Sequence, residues 1–145
     1  MLLEGSTEVW IGLSDLDNNG NYTWGTGDTL SYTAWDAGEP TQPCVKYQNT
    51  KWKTGACTEE INFVCQVPQK SETPCSRRSN PTCLDGFTAI CGSCYKLVEG
   101  SSMNWGVARA ECGKYAARLA DLVTQAESEA VATWFGELLL SITSR

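Results

Sequence analysis

Eight cysteines in 145 residues constrain this chain more than any other feature. An even number at this density describes a small fold stapled by disulfides in an oxidising compartment, not a cytosolic enzyme. Six tryptophans and 13 glycines accompany them, while charged residues make up only 19% of the chain. Together these predict a β-rich core with aromatic plugs and many turns. The length suits one domain, or one domain with a linker.

A net charge of −6 argues against nucleic acid and anionic membranes, whose phosphates would repel it. No run reaches the length of a membrane span, so no membrane insertion is expected. Met1-Leu2-Leu3-Glu4-Gly5 has neither a basic region nor a long apolar stretch and does not read as a signal peptide. The expected state is therefore a mature or processed secreted chain. There is no histidine, which removes the usual general base, the Ser-His and Cys-His nucleophile pairs and the commonest zinc ligand. The neighbouring acids Glu59-Glu60 read as a solvated turn before a strand, not as a glycosidase pair. Neither an enzyme nor a cofactor is expected.

Val9-Trp10-Ile11-Gly12-Leu13 is too short for a typical helix and rich in β-branched and aromatic residues, which predicts a buried strand. Gly12 within it implies that another backbone or a large ring packs close. Asp15-Leu16-Asp17-Asn18-Asn19-Gly20 opens like a calcium loop, but position twelve is Thr26 where Glu is required. A β-turn at Asn19-Gly20 is the expectation. Asn21-Tyr22-Thr23 is a glycosylation sequon, which would have to lie on the surface.

Further strand candidates are Tyr22–Trp24, the alternating Leu30–Trp35, Cys44–Tyr47 and Ile61–Cys65, with Trp52 between the last two. Residues 67–82 shift to Pro, Ser, Lys, Arg and Thr and read as a linker, in which Arg77-Arg78 is solvated charge or a protease-sensitive pair. Phe87 to Val98 holds a short cysteine-bracketed hairpin. Two helices follow. Asn104 caps the first, with Trp105, Ala108, Cys112 and Tyr115 or Ala116 at helical spacing. Thr124-Gln125-Ala126-Glu127 is a capping box opening the second, whose apolar stripe is Val131, Trp134, Phe135, Leu138 and Leu139.

These residues carry a resemblance. Trp10-Ile11-Gly12-Leu13, Trp24, Tyr32, Trp35, Gly38-Glu39-Pro40, Cys44, Trp52, Cys57 and Phe63-Val64-Cys65 resemble the second half of a C-type lectin-like domain. Cys83, Gly86-Phe87, Cys94-Tyr95, Asn104-Trp105, Ala108, Cys112, Ala117, Leu119-Ala120 and the helix from Thr124 resemble its first half, in the long form with an extra hairpin. The implied fold is α+β, with two helices packed on small antiparallel sheets. In the family the helices precede the Trp-Ile-Gly-Leu strand, whereas here they follow it. Residues 1–66 would be the C-terminal half, 67–82 a linker and 83–145 the N-terminal half, together one domain. Circular permutation explains this order, and so does a stretch straddling two tandem domains. A domain-swapped dimer would use the same contacts.

The resemblance implies Cys44–Cys57, Cys65–Cys112 and Cys83–Cys94, each present with both partners, and leaves Cys75 to pair with Cys91. Cys91-Gly92-Ser93-Cys94 is also a C-x2-C, a weak zinc signal without a second such pair.

Sugar-binding relatives hold calcium through a Glu-Pro-Asn tripeptide, a later Glu and a Trp-Asn-Asp, because a hard cation needs several oxygens. Here Glu39-Pro40 is followed by Thr41, Cys44 comes too soon for the extended loop, and Lys53-Thr54 follow Trp52. Lys53 would place an ammonium near the cation position, which is repulsive. What the resemblance implies is thus a secreted, monomeric or domain-swapped recognition module that binds an extracellular protein or surface without calcium. Its candidate contacts are Glu39, Thr41, Gln42, Tyr47, Lys51 and Lys53. The rival is a glycan site around Glu39 and Trp52, using either a non-standard calcium site or a sugar stacked on an aromatic such as Trp52.

Overall fold

The computed structural model describes residues 8–25, 27, 30, 32–48, 51–67, 82–84 and 86–143; for 99–101 and 135–143 it describes the backbone alone. Met1–Gly5, the stretch 68–81 with Cys75 and Arg77-Arg78, and the side chains of Phe135, Leu138 and Leu139 lie outside the described residues.

The strands are β1 (Val9–Ser14), β2 (Thr23–Trp24), β3 (Cys44–Gln48), β4 (Lys51–Gly55), β5 (Ile61–Val67), β6 (Thr88–Ile90), β7 (Ser93–Met103) and β8 (Arg118–Leu119); the helices are α1 (Trp105–Gly113) and α2 (Gln125–Thr143). The sheet order is β4-β3-β1-β5-β7-β6, with β2 on β1 and β8 on β5. The β1–β5 pair is parallel, and the other strand pairs are antiparallel. The α+β class is the expected one, but the strands form one mixed sheet where small antiparallel sheets were expected, because β1 and β5 pair in parallel.

Strand β1 is buried from Val9 to Leu13, as its unbroken apolar run requires. Its glycine has the reason expected from sequence. Gly12 N–H donates to Ala120 O at 2.7 Å, and a Cβ there would stand 2.4 Å from Asp121 Oδ1 and 2.8 Å from Leu119 O. The neighbouring carbonyls are backbone and cannot swing away. Gly12→Ala is expected to cost about 1–3 kcal/mol, as overpacking does, which urea denaturation would measure.

The two sequence halves are knitted along β5. It pairs with β7 from Phe63↔Val98 to Val67↔Cys94 and with β8 at Cys65↔Leu119. Buried Gln66 adds two side-chain bonds: its Oε1 accepts from Asp121 N at 2.7 Å, and its Nε2 donates to Tyr95 Oη at 3.1 Å. Two tryptophans cross the seam in opposite directions. Trp10 Nε1 donates to Met103 O and Trp105 Nε1 to Ile11 O, both at 3.0 Å, so each large ring is buried without orphaning its N–H. Cys44–Cys57, Cys65–Cys112 and Cys83–Cys94 are formed. Cys91 is also disulfide-bonded; its expected partner, Cys75, lies outside the described residues.

Both helix starts follow the sequence signals. Asn104 Oδ1 accepts from Val107 N at 2.9 Å. Thr124 Oγ1 accepts from Glu127 N while Glu127 Oε1 accepts from Thr124 N, both at 3.1 Å, a reciprocal capping box. The cysteine-bracketed hairpin is β6–β7, turned at Cys91 (φ 56°) and Gly92 (φ 83°).

Two details differ from the sequence expectations. The tight turn after β1 spans Asp15 to Asn18, closed by Asn18 N to Asp15 O at 3.0 Å, with Asn18 at φ 55°. It lies ahead of Asn19-Gly20 because the Asp15 carboxylate gathers the N–H groups of Asn19 (3.1 Å) and Gly20 (2.8 Å). That carboxylate serves to fold its own loop. The alternating Leu30–Trp35 segment forms no strand among the described residues, only one bridge, Trp35 to Trp52. Its apolar side chains act as plugs: Tyr32 and Trp35 meet the Trp52 ring edge to face at 5.3 and 5.4 Å.

Candidate functional site

The loop from Gly38 to Pro43 runs into β3, and Cys44–Cys57 pins it. The Glu39–Pro40 peptide is cis. Behind the loop stands Thr54 of β4, only 6% exposed. Glu39 Oε1 accepts from Thr54 N at 3.1 Å and from the Thr54 hydroxyl. Thr54 Oγ1 in turn accepts the N–H groups of Thr41 (3.0 Å) and Gln42 (2.9 Å) and lies 3.1 Å from Thr41 Oγ1. One threonine therefore anchors the loop at three points. Removing a buried acceptor leaves its donors unsatisfied. Thr54→Val, which keeps the shape, is expected to lose about 1–3 kcal/mol in chemical denaturation; Thr54→Ser is expected to retain most of it.

The seven residues singled out from sequence do not converge. Glu39 is half-buried in the threonine knot, and Thr41 and Gln42 are exposed beside it. Lys53 points elsewhere, because successive side chains of a strand alternate. Its ammonium donates to Gln48 Oε1 at 2.8 Å and lies 3.7 Å from Asp36 Oδ2, while Glu39 holds Thr54. Lys53 is thus not beside the Glu39 carboxylate as its sequence position suggested. Trp52 is fully buried (0% exposed) and walled by Trp24, Tyr32 and Trp35, so it offers no face to a sugar ring. Tyr47 is core, 3% exposed, and burial pushes its hydroxyl well above the usual tyrosine range.

Exposed Lys51 lies across from the start of α2, in a cleft of about 460 Å³ that Tyr32, Tyr47, Gln125, Ser128 and Glu129 also line. Sequence reasoning missed this grouping, since nothing local joins Lys51 to residues 125–129. A second cleft, of about 500 Å³, opens beside the β1 turn and α1 between Asp15, Asn19, Trp105, Arg109 and Arg118. Tyr22 stands between that turn and the loop. Its hydroxyl donates to Gln42 O at 2.6 Å and its ring meets Trp35 at 5.1 Å. Burial raises the Tyr22 hydroxyl, and the charges of Asp15 and Glu39 add to the effect.

Calcium, which the fold suggests at Glu39, does not fit the groups present. Glu39 Oε1 already receives two Thr54 donors, the hydroxyls of Thr41 and Thr54 face one another, and the Asp36 carboxylate lies near the Lys53 ammonium. A hard dication needs six or more free oxygens. Among the described residues no group of three or more Cys, Asp or Glu side chains is placed to hold a metal.

Residues 2–67 match the model of the lectin C-type domain. They belong to the C-type lectin-like family. The similarity extends over both halves: human C-type mannose receptor 2 is 26% identical over 141 residues, 88% of this chain and 10% of the receptor. Human lithostathine-1-beta is 34% identical over 77 residues, 46% of either chain. Lectin BRA-3 of Megabalanus rosa is 32% identical over 78 residues, 48% of either chain. The chain thus spans about a tenth of the receptor and about half of each shorter lectin. No solved structure matches it significantly. The fold is that of a disulfide-stapled C-type lectin-like domain, whose relatives are lectins and receptors, and no described helix is long and apolar enough to cross a membrane.

Proposed function

We propose that this C-type lectin-like chain is an extracellular, non-enzymatic recognition module that binds a protein or surface ligand without calcium. The observation that carries this is the grip of Thr54 on Glu39, which occupies the carboxylate the family's sugar chemistry would need. The contact surface would be the exposed Thr41–Gln42 loop, with Lys51 and its cleft as a second contact. Loops held by a rigid disulfide scaffold are the usual place for such contacts. Fold alone does not set the ligand, so the test is functional. A glycan array run with calcium and again with EDTA is expected to show no calcium-dependent binding; binding that vanishes in EDTA would contradict the proposal.

The two halves would complete one domain within a single chain. Cys65–Cys112, the β5–β7 pairing and the exchanged tryptophan bonds support this. One observation favours a second reading. Both halves align in a single stretch of 141 residues with a receptor ten times longer, so the same order would arise where two successive domains of a longer protein meet. Light scattering at the mass of one chain supports the single domain. A mass of two chains with inter-chain Cys65–Cys112 would show that the halves are exchanged.

A further inference from the structure

We propose that Asn21 carries an N-linked glycan, at the boundary between the cleft beside β1 and the exposed loop at Gln42. The proposal rests on the extracellular reading above. Asn21-Tyr22-Thr23 is the acceptor pattern, and the fold presents it in a usable form. Tyr22 turns inward, its ring against Trp35 and its hydroxyl on Gln42 O. In extended chain the neighbours of an inward residue point outward, and Asn21 is exposed. Its backbone N–H is held by Asn19 Oδ1 at 3.0 Å, while its carboxamide makes no hydrogen bond among the described residues. Modification therefore breaks no hydrogen bond among the described residues.

In the transfer, Asn21 Nδ2 bonds to C1 of the first sugar of a polyprenyl-diphosphate oligosaccharide. The C1–O bond to the diphosphate breaks, the lipid diphosphate leaves with that electron pair, and the amide proton passes to a base of the transferase. The first sugar then stands at the mouth of the cleft of about 500 Å³, whose walls include Asp17, Asn19, Arg109 and Arg118. Those polar groups suit sugar hydroxyls. A glycan here would cover that cleft and stand beside the Thr41–Gln42 contact loop.

The full chain is sent through the secretory lumen of a eukaryotic cell behind an added leader, and the secreted product is treated with peptide-N-glycosidase in heavy-oxygen water. A drop in mass, with one heavy oxygen on the Asp formed at position 21, is expected. Asn21→Gln and Thr23→Ala should each abolish both signals and still be secreted, whereas Thr23→Ser should keep them. A secreted, fully disulfide-bonded chain with unmodified Asn21 would overturn the site and leave the extracellular reading standing. Unpaired cysteines on a chain carrying the glycan would support the site and count against that reading.

Discussion

Replacing Trp52 by alanine is expected to cost about 3–5 kcal/mol, as truncating a buried aromatic does. The ring is closed off by three other aromatics, with centroids 5.3–5.5 Å away and near-perpendicular planes. Removing it leaves a cavity where Trp24, Tyr32 and Trp35 meet, and it also removes the anchor of the Asp36–Pro43 loop. Trp52 N–H donates to Ala34 O and Asp36 N–H to Trp52 O, both at 2.8 Å, so the backbone there is clamped to the strand that the ring fixes. Equilibrium urea unfolding followed by far-UV circular dichroism measures the loss. A sugar-stacking tryptophan would behave in the opposite way, with unchanged stability and lost binding. A loss under about 1 kcal/mol, the size usual for a surface substitution, would contradict the buried assignment.

The double replacement Cys65→Ala, Cys112→Ala is expected to destabilise the chain by about 2–5 kcal/mol. This bridge joins positions 47 apart and links β5 to α1 across the two halves, whereas Cys83–Cys94 joins positions only 11 apart within the hairpin region. In the chain-entropy account the longer closure restrains the unfolded chain more. Cys83→Ala, Cys94→Ala is therefore expected to cost less, and thermal unfolding of the two variants side by side gives the order. Equal or reversed losses would mean that the halves are held mainly by the sheet and the tryptophan bonds. The residual stability of the Cys65/Cys112 variant then measures how much β5–β7 and the Trp10 and Trp105 bonds contribute alone.

Much of this was legible from local chemistry. The β1 run, the Asn104 cap and the Thr124–Glu127 box each act within a few residues, so their signals lie within a few residues. Gly12 was legible as a place of close approach, but not what approaches it, since Leu119 and Ala120 are more than a hundred positions away. The family resemblance supplied the cysteine pairs, which spacing alone leaves open. The Leu30–Trp35 segment misled because alternation marks any chain with one buried side, and here the buried side meets rings instead of a neighbouring ladder. The candidate site was the least legible part. Losing Asn and Asp from the calcium motif was plain at Thr41 and Thr54. That two hydroxyls and one carboxylate would close on each other was not, because the partners lie 13 and 15 positions apart. Lys53 misled for a related reason: strand parity, set by the buried Trp52 and Thr54, sends it to Gln48 and Asp36.

Calcium titration followed by thermal unfolding probes the grip of Thr54 on Glu39. A ligand that binds only the folded state raises its melting temperature by mass action, about 2.7 kcal/mol of stabilisation at a hundredfold excess over Kd. The expected result is one melting temperature for the wild-type chain in EDTA and in millimolar calcium, and no calcium response in Glu39→Gln either. A calcium-dependent rise in the wild type that Glu39→Gln abolishes would mean that the carboxylate leaves Thr54 for the metal, and that the loop holds a working cation site.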